Sequence, residues 1–298
     1  MRLASTTASE SIISQIQQLS QQQSKLQAQV SSGQRISQLE DDPAAAGRVL
    51  NLDSEQRALT QFGTNANRAL AISQATLSSL QSIKTISDRA TELGTLGSGT
   101  QSTQQTQAYA AELDQLLEQA VQQANSKLGN DSLFAGTAVN VSPYTVTRNA
   151  QNQITGVAFA GNTAQSSIPL SSTAAVAPGA DATTTQGVTD FLNHLVALRN
   201  ALQTGNSAGV TTAQTGLITT EDTFVSSLAQ MGAVQMRIEV SQTQQSNNAQ
   251  NLQQLVSSEV DADMPSTIVR LNQAQTAYQA SLQSAAKIMK LSLLDYIN

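Results

Sequence analysis

Both ends of the chain carry apolar residues at the spacing of a coiled coil, and this pattern restricts the fold more than any other feature. Steps of three, four and seven residues separate Ile12, Ile16, Leu19, Leu26 and Val30 near the start, and Ile268, Leu271, Tyr278, Leu282 and Met289 near the end. The seven-residue steps from Leu19 to Leu26 and from Leu271 to Tyr278 each skip one core position, and the skipped positions hold Gln23 and Gln275. We therefore predict an assembly seam at each end, with a polar residue inside it.

The two seam glutamines have two interpretations. Gln23 and Gln275 are either weak heptad positions that a partly exposed seam tolerates, or a pair that meets across the seam and fixes its register. An isolated helix with one apolar stripe has marginal stability in water. We therefore expect the two ends to fold only against each other and against neighbouring subunits.

The composition favours long helices over a broad globular interior. Aromatic residues make up 3% of the 298 residues and charged residues 12%, about half the usual share of charged residues in soluble proteins. Such a chain packs stripes of Ala and Leu between helices but cannot fill a wide core. The predicted fold class is mainly α: an elongated antiparallel helical rod or coiled coil with a small β-rich insert at its tip.

Charge and hydropathy exclude several classes of partner. The net charge of −6, without a basic stripe, argues against a nucleic-acid partner. No apolar run has the length of a membrane span, so we expect no membrane insertion. The first residues, MRLASTTASE, lack the apolar core of a cleavable signal peptide.

The chain does not present the residues that common catalytic or metal sites need. It has no cysteine, and its single histidine, His194, lies in an apolar helical stripe. Four acids form two pairs, Asp41 with Asp42 and Asp261 with Asp263, and helix capping explains three of the four better than a general acid–base pair or a cation site does. The glycines at 94–99 follow a helix and lack the Lys-Ser/Thr of a phosphate loop. We predict no cofactor, no metal and no enzymatic activity.

Breaks in the helical pattern divide the chain into a nearly mirror-like order of segments. Helical stripes fill most of the sequence, whereas residues 133–185 alternate β-branched residues with Gly, Pro, Asn and Thr, and residues 149–153 have the composition of a hairpin turn. The predicted segments are an N-terminal heptad segment (1–40), N-terminal rod helices (41–132), a variable β-rich insert (133–185), C-terminal rod helices (186–260) and a C-terminal heptad segment (261–298).

Two short motifs mark the inner boundaries of the terminal segments. Gly33 ends the first helix, and Asp42 followed by Pro43 predicts the start of the next one. Asp41 places a further negative charge beside that helix N-terminus. The sequence Asp261-Ala-Asp263-Met-Pro likewise places acids and a proline at the predicted start of the final helix. Arg35 and Arg48 lie close to the first pair of acids, and we expect them to form ion pairs with these acids or with a neighbouring subunit.

These motifs resemble the bacterial flagellin superfamily. The resemblance rests on SSGQRI at 31–36 and DDPAAAGRV at 41–49, and on SSEVDAD at 257–263 and QTAYQASLQSAAKIMKLSLLDYI at 275–297. It covers residues 1–137 and 186–298 and leaves out the insert, which is the variable part of this superfamily. Proline after the two acids, Leu-Phe-Ala-Gly-Thr at 133–137 and the LSLLDYIN ending resemble the hook–filament junction members more than the filament subunits.

The resemblance implies a structural subunit of the extracellular bacterial flagellum that is exported unfolded and polymerises through its terminal helices. It also implies contacts with copies of itself, with other hook-associated proteins and with flagellin, and an export chaperone on the C-terminal helix. A filament flagellin remains the alternative. A secreted coiled-coil tip protein is a third interpretation, and it predicts an apolar membrane-active segment.

Overall fold

The computed structural model describes residues 2–38, 40–99 and 101–297, with side chains for 10–38, 40–99 and 101–287. The fold is mainly α, as predicted, with short antiparallel strands between the helices. In chain order the elements are α1 (Arg2–Ser32), α2 (Pro43–Gly97), α3 (Thr103–Ala124), β1 (Lys127–Leu128), β2 (Asp131–Ser132), β3 (Tyr144–Arg148), β4 (Ile154–Phe159), β5 (Ile168–Pro169), β6 (Ala175–Val176), α4 (Ala182–Thr204), α5 (Ser207–Val260) and α6 (Met264–Ile297). The chain forms two compact units, residues 1–58 with 248–298 and residues 59–247.

Side-chain caps and glycines fix the helix ends in residues 59–247. Ser102 and Gln105 form a reciprocal capping box at the start of α3, and the Asp181 carboxylate accepts the Thr184 N–H at 2.7 Å at the start of α4. Gly205 ends α4 in the left-handed conformation, with φ of 66°, which glycine adopts without the steric cost of a Cβ.

The core of residues 59–247 lies between α2, α3, α4 and α5 and continues under the β3–β4 hairpin. Leu80 and Leu93 from α2 and Leu113 from α3 are fully buried in it. Phe191 and Phe224 meet edge to face, with ring centroids 5.4 Å apart, a favoured aromatic geometry. Long helices therefore share one narrow apolar core, as the low aromatic content predicts.

Among the described residues, the six strands form three two-stranded antiparallel sheets. The largest pairs β3 with β4, from Tyr144 opposite Phe159 to Arg148 opposite Ile154, with an irregularity after Thr147. Residues 149–153 form its turn, as predicted. The β5–β6 pair covers a second, smaller apolar cluster formed with α2 and α5. The insert thus contains short strands, in agreement with the sequence pattern.

The β1–β2 hairpin was not predicted. The sequence indicates a helix that continues to about residue 127 and ends at Gly129-Asn130. In the structure α3 ends at Ala124, and Gly129, with φ of 63°, lies in the turn between two short strands. The Asn125 side chain explains the early end, because its amide binds the Tyr144 backbone in β3, as described below.

The unit of residues 1–58 and 248–298 contains α1 and α6, the first part of α2 and the last part of α5. α1 and α6 pack against each other. The Ala262 N–H donates to the Gly33 carbonyl at 2.8 Å, which joins the end of α1 to the start of α6. The two helices therefore run antiparallel, and the predicted meeting of the chain ends is confirmed.

Candidate assembly interface

The buried strip of α1 follows the predicted heptad positions. Leu26 is buried and the other predicted positions are half-buried: Ile12, Ile16, Leu19, Gln23 and Val30. Most of the residues between these positions are exposed. The apolar spacing therefore places the correct face of α1 inward.

The buried strip of α6 differs from the predicted one. Positions in alternating steps of three and four residues are buried or half-buried: Met264, Thr267, Leu271, Ala274, Tyr278, Ser281 and Ala285. Ile268 and Leu282, predicted in the seam, are both 43% exposed, and Gln275 is half-buried. The fully buried positions of this strip hold small residues, Thr267, Ala274 and Ala285, which let α1 approach closely. The large side chains of Ile268 and Leu282 lie beside the strip. The seam side chain of Met289 falls outside the described residues.

The glutamines of the two helices do not bind each other in this chain. Among the described side chains, no hydrogen bond joins Gln23 to Gln275, although both residues are half-buried. Their role in fixing a register between subunits stays a prediction.

The segment between α1 and α2 is bound to the segment between α5 and α6 through the backbone. Gly33 takes the left-handed conformation, with φ of 72°, that turns the chain out of α1. The Arg35 N–H then donates to the Val260 carbonyl at 2.6 Å, and Gln34 forms an antiparallel bridge with Asp261. The SSGQRI motif is thus a turn followed by one rung of β pairing.

Arg35 and Arg48 stabilise this junction by binding Glu259 at the end of α5. Arg48 forms a two-bond ion pair with Glu259, at 2.9 and 2.8 Å, and Arg35 donates to the Glu259 carbonyl at 2.8 Å. The guanidinium of Arg48 lowers the pKa of the Glu259 carboxyl, and the carboxylate raises the pKa of Arg48 in return. Two parallel bonds between the planar guanidinium and the carboxylate fix the orientation of the two side chains as well as the distance between them.

Asp42 is the N-cap of α2, as the Asp-Pro motif predicts. Its carboxylate accepts the Ala45 N–H at 3.0 Å and pairs with Arg35 at 3.2 Å. The Ala45 N–H and the nearby Arg35 lower the pKa of Asp42. Pro43 is the first residue of α2, where its missing N–H costs no hydrogen bond.

Asp41 has a different role from the one its position suggests. Its carboxylate pairs with Lys25 of α1 at 2.7 Å and accepts the backbone N–H groups of Ser37 and Gln38. The ammonium of Lys25 and these two N–H groups hold the pKa of Asp41 well below its usual range. Asp41 therefore ties the connecting segment to α1 more than it completes the end of α2.

The acids before α6 are part of the same junction. Asp261 accepts a hydrogen bond from the Ser257 hydroxyl. Asp263 precedes the first residue of α6, and its carbonyl accepts the Thr267 N–H at 2.9 Å. Asp261 thus lies in the same junction as Arg35 and Asp42, since Gln34 pairs with Asp261 and Arg35 binds Val260 and Asp42.

The remaining polar candidates in the described part of the chain have packing roles or none. The His194 ring contacts Gly216 of α5 so closely that a Cβ there would lie 2.4 Å from it. Gly97 is the last residue of α2 and packs against Leu202.

Among the residues whose placement is described, no group of three His, Asp or Glu side chains is arranged to hold a metal ion. Within the same residues, no helix has the length and apolarity that a bilayer crossing needs.

Three side chains that the sequence does not identify fix the β3–β4 hairpin on the helices. Asn125 both accepts from and donates to the Tyr144 backbone, at 3.0 and 2.9 Å. Asn193 does the same with Val157, at 3.1 and 3.0 Å. Arg199, 1% exposed, donates to Asp114 and to the Ile154 carbonyl. A polar residue inside a helical stripe was the only available signal, and it does not reveal a distant partner.

Family models match the N-terminal helices and the C-terminal helices, and they leave out residues 139–214, which contain most of the insert, α4 and the start of α5. The model of the bacterial flagellin N-terminal helical region matches residues 4–138, and that of the bacterial flagellin C-terminal helical region matches residues 215–297. The chain belongs to the bacterial flagellin family. The junction described above thus lies inside the parts that the two flagellin models recognise.

Solved structures share the fold of this flagellin-family chain. A chain described as a flagellar hook-associated protein from Vibrio parahaemolyticus is 16% identical, with a TM-score of 0.66 over 74% of this chain and 100% of that chain. FlgL of Bacillus cereus is 18% identical, with a TM-score of 0.60 over 70% and 99%. The flagellar junction protein FlgL from Legionella pneumophila is 13% identical, with a TM-score of 0.50 over 73% and 100%. No curated protein matches the chain.

Proposed function

We propose that this chain is a structural subunit of the bacterial flagellum that forms the hook–filament junction. Family membership supports the flagellar role, since the flagellin models match both terminal helical regions. The observation that carries the junction assignment is the fold: similar solved chains are named as hook-associated or junction proteins, and this chain spans nearly their whole length. The site of action is then the extracellular flagellum.

The arrangement of the terminal helices supports assembly as the mechanism. α1 and α6 form an antiparallel pair in which most of the large apolar side chains are only half-buried, so its stability depends on further packing. The Arg48–Glu259 and Arg35–Asp42 pairs fix where this helical pair begins relative to α2 and α5 within the same unit. We assign assembly to the terminal segments, 1–40 and 261–298, and keep the other three segments predicted from the sequence as the rod helices and the variable insert.

The proposed partners are further copies of the chain, other hook-associated proteins and flagellin. An export chaperone that covers the C-terminal helix before secretion belongs to the same proposal, because an unassembled α6 exposes apolar residues such as Ile268 and Val269. The family and fold neighbours are structural proteins, and the proposed role requires no catalytic step.

Electron microscopy of purified hooks incubated with the purified protein tests the junction assignment. A junction subunit should add a short, self-limiting structure to hook ends and should not grow further at any protein concentration. Long filaments that elongate with time would instead identify the chain as a filament flagellin. Failure to add to hook ends would refute the proposal.

A further inference from the structure

A cavity of about 590 Å³ lies between α2, the β1–β2 hairpin and the segment that contains β5. All of its lining residues belong to the compact unit of residues 59–247. Its volume is in the range of about 300–1,000 Å³ that is usual for small-molecule sites in proteins. The proposed assembly role does not use this cavity, because the assembly segments belong to the other unit.

Side-chain hydrogen bonds hold two walls of the cavity in place. The Asn65 amide on α2 donates to the Pro169 carbonyl of β5 at 3.0 Å, which fixes this strand beside the helix. The Gln165 amide donates to the Gly179 carbonyl at 3.3 Å, which ties the two segments on the opposite side to each other. The cavity is therefore bounded by fixed segments, as is usual for small-molecule sites that form before the ligand binds.

Part of the lining is apolar and only partly covered. Ile72 of α2 and Ile168 of β5 are half-buried, and Leu133, which follows β2, is buried. An apolar ligand group that covers these side chains would remove their surface from water, which favours binding. Among the described residues that line the cavity, none is aromatic, so it offers no ring on which a nucleobase could stack. The lining therefore favours a ligand with an apolar side chain.

The same lining carries one cation and one anion that bind each other weakly. The Arg68 guanidinium of α2 lies 3.5 Å from the Asp131 carboxylate of β2, and the two side chains are 70% and 47% exposed. This is the longest ion pair in the described part of the chain, and within that part neither side chain has another hydrogen-bond partner. Strong charged hydrogen bonds are about 2.7–2.9 Å long. Both side chains therefore keep donors and acceptors for a ligand.

The two adjacent charges favour a zwitterion over a simple anion or cation. A carboxylate bound to Arg68 would also lie near the Asp131 carboxylate, and an amine bound to Asp131 would also lie near the Arg68 guanidinium. A ligand that carries both charges pairs each side chain with the opposite charge. An α-amino acid has its ammonium and carboxylate on one carbon atom, whereas each further residue of a peptide separates them by about 3.8 Å more.

We propose that this cavity, defined by Arg68, Ile72, Asp131, Leu133 and Ile168, binds an α-amino acid with a large apolar side chain. Arg68 binds the carboxylate, Asp131 accepts hydrogen bonds from the ammonium group, and the apolar lining covers the side chain. This inference goes beyond the proposed junction role and does not depend on it. The bound amino acid contacts α2, the β1–β2 hairpin and β5 together, so it stabilises the folded unit.

Equilibrium dialysis of the full chain against labelled amino acids at about pH 6 tests the ligand class. L-Phenylalanine or L-leucine should bind. N-acetyl-L-phenylalanine lacks the ammonium group, L-phenylalaninamide lacks the carboxylate and glycine lacks the side chain, so each should bind about tenfold more weakly or worse. The proposal is overturned if neither phenylalanine nor leucine binds. Binding of any of the three incomplete ligands as tight as that of phenylalanine also overturns it.

Three variants of the full chain test the two charged residues. Arg68→Gln removes the carboxylate partner, Asp131→Asn removes the charge that pairs with the ammonium group, and Arg57→Gln is the control at an exposed arginine of α2 outside the cavity. The first two should bind phenylalanine about tenfold more weakly, and the control should bind like the wild type. Thermal unfolding checks that all three stay folded. Wild-type affinity in both cavity variants would overturn the proposal.

The discrimination between ligands separates direct contact from an indirect structural effect. Because Arg68→Gln has no guanidinium to bind a carboxylate, it should bind phenylalanine and phenylalaninamide equally well. A variant that weakens both ligands by the same factor would contradict the assigned contact.

Hydrogen exchange followed by mass spectrometry locates the site. Phenylalanine should slow amide exchange in residues 128–139 and 165–169 of the wild type and leave exchange in Arg68→Gln unchanged. Slowing confined to other parts of the chain would place the ligand elsewhere and overturn the proposal.

Discussion

Replacement of Arg199 by methionine should destabilise the helical core around the insert more than any replacement of a surface arginine. Arg199 is 1% exposed, and its guanidinium donates to Asp114 of α3, to the Ile154 carbonyl of β4 and to Asn200. Methionine keeps much of the apolar stem and removes every donor. The change therefore leaves a carboxylate and a buried carbonyl without these bonds.

The expected magnitude follows from what each orphaned partner loses. Breaking a buried ion pair by removing one partner costs about 3–5 kcal/mol. The Asp114 side chain is 24% exposed and keeps a hydrogen bond from Gln153, so solvent screening lowers this cost to about 1 kcal/mol. The Ile154 carbonyl loses a hydrogen bond in a buried position, at about 1–3 kcal/mol. We expect a total loss of about 2–4 kcal/mol in the free energy of unfolding.

Urea unfolding followed by circular dichroism measures this loss, with Arg57→Met as the matched control. Arg57 lies on the surface of α2, and its replacement should change the free energy of unfolding by less than about 0.5 kcal/mol. Hydrogen exchange at the β4 amides should rise in Arg199→Met before exchange in α1 does. If Arg199→Met costs less than about 1 kcal/mol, the buried pair does not hold the hairpin on the helices as we infer.

Two further predictions concern a glycine and the pH dependence of the junction. Gly136→Ala should destabilise the chain by more than the roughly 1–2 kcal/mol cost of its left-handed φ of 65°, because the added Cβ would lie 2.1 Å from the Asn162 carbonyl oxygen. Gly129→Ala, with φ of 63° and open space around the Cβ, should cost only the free energy of the left-handed backbone conformation. Equal losses of stability in thermal unfolding of the two variants would contradict this prediction. The pKa of Asp42 is lower in the folded chain than its unfolded value near 3.9, so its contribution to stability is complete above that pH and is lost as the pH falls through the folded pKa. Amide exchange around Arg35, measured by NMR from pH 6 to 2, should therefore show opening only at the acidic end. Asp42→Ala, which removes the cap oxygens, should exchange faster than the wild type already at pH 6, and an Asp42→Ala chain with the wild-type profile would contradict this prediction.

The local order of the fold could be predicted from sequence where the cause is local. Asp42 followed by Pro43 identifies the start of α2 because the cap involves residues three positions apart. The heptad spacing of α1 identifies its inner face, and residues 149–153 identify a hairpin turn. For the cap and the turn, the sequence and the structure agree because residues within a few positions of each other provide the stabilising contacts. For α1, they agree because the helical repeat places the spaced apolar residues on one face.

Contacts between distant residues could not be predicted in the same way. Asn125 ends α3 by binding Tyr144, and nothing in the local sequence distinguishes this asparagine from one in an ordinary loop. On α6, the predicted seam includes Ile268 and Leu282, yet both residues are 43% exposed, and the buried positions are Thr267, Ala274 and Ala285. The size of a side chain does not show which face of a helix packs on its partner.

The most direct test of the central claim is hook addition by the full chain and by a variant that lacks residues 1–30. The account holds that assembly requires the α1–α6 pair, whereas residues 59–247 form a compact unit with their own core. Electron microscopy of hooks should show added subunits with the full chain and bare ends with the truncated chain, and the truncated chain should keep the thermal transition of its core. A truncated chain that still adds to hook ends would contradict the account.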